Sequence, residues 1–142
     1  MNNKITYETE EELLKKTSRI IMLPSIYNLI NLQGNGPATF LNIIASLISY
    51  NFWKNPRKGF RRNLDLLYQP LFGSYMYFLG TIYSNNILLL VLGNIFFLTG
   101  LSCYNKSCIE YRKYNRFWYI YHGIFHTCMT ISCFIVHNSV KK

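Results

Sequence analysis

The basic residues of this chain fall in blocks separated by long apolar stretches, and few folds accept that arrangement. Lys54, Arg57, Lys58, Arg61 and Arg62 crowd one short segment, and Lys106, Arg112, Lys113 and Arg116 another. Between them run Leu64 to Tyr83, whose only charge is Asp65, and Ile87 to Cys103, which has none. A soluble domain of 142 residues mixes polar and apolar side chains within each element, whereas a bilayer selects whole apolar segments joined by charged loops. The chain is therefore expected to be all-α, a multi-pass transmembrane helical bundle of four or five spans. With 15 Lys and Arg against 6 Asp and Glu the formal charge is +9. Here that charge reads as topology, because basic clusters that bind nucleic acid ordinarily sit on a soluble scaffold. Membrane lipids are the expected partners, and nucleic acid is not.

Ala38 to Trp53, Leu64 to Tyr83, Ile87 to Cys103 and Phe117 to Val136 read as spans. The loops Lys54 to Arg62 and Tyr104 to Arg116 hold nine of the fifteen basic residues and are expected on the cytoplasmic side, opposite the uncharged Ser84-Asn85-Asn86 turn. The first apolar run, Ile20 to Leu32, carries Pro24, Asn28 and Asn31. As a helix it reaches only about 20 Å, less than a hydrocarbon core of roughly 30 Å. If it spans, there are five crossings with the N-terminus inside and the short tail from His137 outside; if it lies on the surface, there are four. Gln33 to Pro37 reads as a turn. Residues 1–19 are expected to form a cytoplasmic amphipathic segment on the membrane surface, with Thr9 as N-cap ahead of Glu12, and residues 20–142 the bundle. No small-residue cleavage site follows the first apolar run, so no secretory signal is expected. Cys103, Cys108, Cys128 and Cys133 have no CxxC or zinc-ribbon spacing and read as small apolar fillers.

Ionisable residues within spans are expensive, so those retained are informative. His122 and His126 stand four apart and project from one helical face, with Thr130 a turn further on. Helical His-x-x-x-His pairs supply two nitrogen ligands to zinc in many sites. The same two residues also follow the aromatic stretch from Phe117 to Tyr121, where an interfacial imidazole bonds water or headgroups. Asp65 follows Arg61 and Arg62 at the start of its span, a place where a carboxylate also suits the helix dipole. Counted from the basic loops, Ser46, Tyr50, Asp65, His122 and His126 share one layer near the cytoplasmic face.

The stretch Ser46-Leu-Ile-Ser-Tyr50, the paired Arg61 and Arg62 before Asp65, and His122-Gly-Ile-Phe-His126 resemble the superfamily of alkaline ceramidases, progestin and adipoQ receptors and hemolysin III proteins. That resemblance implies a metal site with His122, His126 and Asp65 as zinc ligands, Asp65 and Ser46 as catalytic residues holding the metal-bound water, and a lipid amide as substrate. Tyr50 stands where the family's third zinc-binding His belongs, and this chain has two crossings fewer than the family's seven. A shortened relative is thus one expectation. The other is a non-enzymatic membrane scaffold or assembly protein whose buried polar residues bond between helices. A haem-binding bundle ranks below both, because His122 and His126 lie on one helix.

Overall fold

The structure, a computed structural model, describes residues 8–31 and 36–140. Leu32, Gln33 to Asn35 of the expected turn and the Lys141-Lys142 tail lie outside the described residues. The described residues form six α-helices and no strand: α1 Glu8–Ile20, α2 Leu23–Asn31, α3 Gly36–Trp53, α4 Phe60–Tyr83, α5 Ile87–Arg112 and α6 Trp118–Ser139. Two of them, α5 and α6, are long and apolar enough to cross a membrane.

Helices α3 to α6 follow the four long apolar stretches, with one extension. Helix α5 runs nine residues past Cys103, to Arg112, through sequence expected to be loop. Its last turns are polar but hold together locally, through a Lys106–Glu110 pair at 2.9 Å across one turn. Beyond Lys113 the chain reverses at Tyr114, which adopts a left-handed φ of 57°, and Asn115 bonds back to Glu110.

The first 24 described residues depart most from expectation. Thr9 lies inside α1 rather than capping it. Helix α1 does not stand apart from the bundle: it packs along α3 and α6. It stops at Ile20, and α2 begins at Leu23. Pro24 has no N–H to extend α1, while its fixed φ suits the first turn of α2. The carbonyl of Ile21, exposed by this break, accepts from Asn42 Nδ2 at 3.0 Å. Both halves run antiparallel to α3: Ser18 meets Ser49, Ile21 meets Asn42, and Ser25 donates to the carbonyl of Thr39. Glu8 to Asn31 therefore travels the length of α3 as a broken pair of helices.

Helix α6 is central, touching α1, α2, α4 and α5. Small residues let the backbones close on it. A Cβ added at Gly80 of α4 would meet Val136 Cγ2 at 2.8 Å, and one added at Gly100 of α5 would meet Cys128 Cβ at 3.3 Å. One core gathers Ala38, Ala45, Phe72, Met76, Leu79, Cys133, Val136 and Val140 from α3, α4, α6 and the residue after it. A second, around Leu14, Phe52, Trp53 and Trp118, closes the end at which the basic loops emerge. All four cysteines are free, with Cys128 and Cys133 buried.

Candidate functional site

Each residue singled out from the sequence has a place in this bundle, and most of those places lie against α1. His126, on the inner face of α6, is 3% exposed, and its Nδ1 stands 2.9 Å from Thr17 Oγ1. Thr17 Oγ1 also lies 3.3 Å from the carbonyl of Leu14, which takes the hydroxyl proton when His126 Nδ1 donates to Thr17. Gly123, one turn before, faces the same helix: a Cβ there would stand in ordinary contact with Leu13 and Thr17, at 3.6 Å from each. Thr130 extends the polar stripe but spends its hydroxyl within α6, donating to the carbonyl of His126 at 2.8 Å.

His122 lies edge-on to His126, with ring centroids 4.9 Å apart, as their spacing of four predicts. Its Nδ1 reaches Ser107 Oγ of α5 at 3.3 Å. Trp53, Trp118, Tyr104 and Phe125 surround the ring at centroid distances of 5.1 to 6.1 Å. An aromatic box around an imidazole excludes water and leaves Ser107 as its hydrogen-bonding partner.

Asp65 is 7% exposed and takes no ion pair with Arg61 or Arg62. Its Oδ1 accepts from Gln69 Nε2 at 3.1 Å, one turn along α4, and Gln69 also donates to the carbonyl of Ala45 on α3. Ser49 of α3 lies beside the carboxyl. Ser49 Oγ in turn stands 3.2 Å from Ser18 Oγ, and Ser18 donates to the carbonyl of Leu14 at 2.7 Å. Ser46 donates to the carbonyl of Ser18 at 2.7 Å. Tyr50 accepts from Arg19 at 3.0 Å, and the same guanidinium lies 4.7 Å above its ring.

Two neighbouring residues of α1 thus face the two halves of the expected site. Thr17 takes the histidine side and Ser18 the side of Ser46, Ser49 and Asp65. No family model, curated protein or solved structure matches the chain. Function must be argued from these contacts.

Among the described residues, no group of three or more His, Cys, Asp or Glu side chains is placed to hold a metal ion. His122 and His126 come together as a pair, while the Asp65 carboxylate accepts from Gln69. A catalytic zinc ordinarily takes three protein ligands, of which the adjacent imidazoles could supply two.

Thr17, Ser18, Ser49 and Ser107 were not foreseen as partners of these residues. The sequence did carry a signal for the first two. Leu14, Thr17, Ser18, Ile21, Ser25 and Asn28 recur at three- and four-residue spacing, and all six are buried. Such a stripe of small and polar residues marks the contact face of a helix packed among others, although a hydropathy scan passes over it.

Proposed function

We propose that this protein is a non-enzymatic, multi-pass membrane scaffold, in which the polar residues of the interior join helices instead of acting on a substrate. The observation that carries this reading is the sharing of the candidate residues by α1: His126 with Thr17, and Ser46 and its neighbour Ser49 with Ser18. Where water is scarce, a hydroxyl, amide or imidazole between helices must find its partner in the protein, and bonds of this kind hold bundles in register.

The membrane part of the reading draws support from α5. Its large side chains, including Ile87, Leu88, Val91, Ile95 and Leu98, are exposed, while small Gly93, Gly100 and Ser107 turn inward at intervals of seven. Water would favour the reverse. Lipid accepts it, because acyl chains cover the large residues and small ones allow close packing on α6. Five crossings follow, the broken α1–α2 pair supplying the first and α3 to α6 the others. The basic loops then lie in the cytoplasm and Ser84 to Asn86 outside. In a background without the native cysteines, a cysteine replacing Lys58 should resist an impermeant thiol reagent applied to intact cells, and one replacing Asn85 should react. The opposite pattern overturns the orientation.

The proximity of His122 and His126 favours a second reading, a zinc-dependent lipid amide hydrolase or its remnant, with Asp65 as third ligand and Ser46 beside it. Elemental analysis of the detergent-purified protein separates the two. The scaffold reading expects no more zinc in the parent than in His126→Ala, and no cleavage of a short-chain lipid amide by either. One zinc per chain in the parent, lost in His126→Ala, would overturn it.

A further inference from the structure

The end of the bundle where α3 gives way to α4 and α5 to α6 carries a strongly basic surface. Trp53 and Trp118 have ring centroids 6.2 Å apart, so the segments that follow Trp53 and precede Trp118 open side by side. In the first segment Pro56 is fully buried and pins the chain, while Lys54, Arg57, Lys58 and Arg61 around it are exposed. Of the six acids, Glu8, Glu10 and Glu11 open α1, and the other three are engaged elsewhere. Glu12 pairs with Lys15 and Lys16, Glu110 with Lys106, and Asp65 points into the bundle. No acid lies between Lys54 and Arg62 to neutralise the five charges there.

Large aromatic residues stand exposed among these cations: Phe60 at 79%, Phe117 at 61% and Tyr114 at 94%. Guanidinium groups beside exposed rings at one level fit the boundary between acyl chains and headgroups, where rings settle and phosphate accepts the paired N–H donors of arginine.

We propose that this surface binds anionic phospholipid headgroups, with residues 54 to 62 as the principal phosphate-holding segment. The proposal rests on the membrane reading and adds a lipid preference to it. The charge supplies the selectivity, because each Lys or Arg near an anionic leaflet contributes about 1 kcal/mol of attraction. The rings fix the depth at which the cations meet phosphate.

Trp53 and Trp118 are buried, so the reporter is Phe60→Trp, on the exposed ring of this segment, in a parent whose two native tryptophans are replaced by phenylalanine. The full-length chain is reconstituted into phosphatidylcholine vesicles in which either phosphatidylserine or phosphatidylcholine bears bromine, and tryptophan quenching is compared at equal mole fraction. Brominated phosphatidylserine should quench more strongly, and salt should erode its advantage. The Arg57→Gln, Lys58→Gln, Arg61→Gln, Arg62→Gln variant should lower the preference by on the order of several hundredfold at low salt, four contributions of about fivefold being removed, while circular dichroism shows unchanged helix content. Equal quenching by both lipids in the parent, or an undiminished preference in the variant, overturns the proposal and leaves the membrane reading intact. Quenching by neither lipid places the protein outside the bilayer and overturns both. Single-stranded RNA that competes away the phosphatidylserine preference at equal charge concentration assigns the surface to nucleic acid and refutes the lipid assignment.

Discussion

Replacing Thr17 with valine tests whether α1 belongs to the bundle. The substitution keeps the branched shape of the side chain and removes one hydroxyl, so the packing against Gly123 survives while the 2.9 Å contact with His126 Nδ1 is lost. Hydrogen bonds between membrane helices are worth about 0.6 kcal/mol on average and about 1.7 at most. A buried donor or acceptor left without a partner costs about 1 to 3 kcal/mol. Local geometry puts this case toward the upper part of those ranges. Thr17 is 8% and His126 3% exposed, and the rings nearest His126 are those of His122 and Phe125, so Nδ1 has no ready replacement. The expected loss is about 1.5 kcal/mol, a fall of several degrees in thermal midpoint. A double-mutant cycle with His126→Leu, read by thermal unfolding in detergent, isolates the bond: once the imidazole is gone, Thr17→Val should cost less by about 1 kcal/mol. If Thr17→Val leaves the midpoint unchanged and the cycle shows no coupling, α1 is not held where described, and the scaffold reading loses its main support.

Three further outcomes are expected. Gly80→Ala should destabilise by about 1 to 3 kcal/mol, because its Cβ would stand 2.8 Å from Cγ2 of Val136, a β-branched residue that is stiff in a helix, and Val136→Ala should relieve much of that loss in thermal unfolding. Asp65→Asn should shift the thermal midpoint little while Asp65→Leu lowers it clearly: the amide oxygen still accepts from Gln69, whereas leucine removes that acceptor from a buried site. Hydrogen bonds from Lys106 and then Asn115 hold Glu110 below its ordinary value of 4.5, so its contribution is present above that value and lost as the pH falls through it and below; amide exchange in the reversal at residues 113–117 should accelerate over that range in the parent and not in Glu110→Gln.

The long apolar stretches were legible because lipid-length segments between charged loops leave little freedom, and α3, α4 and α6 begin and end within a few residues of them. The end of α5 was not, since a hydropathy boundary says where apolar sequence stops and not where helical hydrogen bonding stops; Lys106 and Glu110 sustain the helix beyond it. The short amphipathic helix expected near the N-terminus is present as α1, but its partners were not legible, for a related reason. The acidic and basic residues of α1 suggest a surface helix, yet its narrow inner face is Leu14, Thr17 and Ser18, and these are at home against the hydroxyls of α3 and the imidazole of α6. The spacing of His122 and His126 did give their adjacency, because an interval of four sets it on any helix. It could not give Thr17 and Ser107 as their partners, since contacts between distant segments depend on tertiary packing.

The position of α1 beside both α3 and α6 couples parts of the chain that lie far apart in sequence. Helix α1 is mostly polar, and its buried face finds partners on both sides: Ser18 against Ser49 of α3, and Thr17 against His126 of α6. Helix α3 alone leaves that face half covered. Without residues 118–139 there would be no Gly123 or His126 against which to seat Leu13 and Thr17. The docking of residues 8–20 thus waits on a segment made about a hundred residues later.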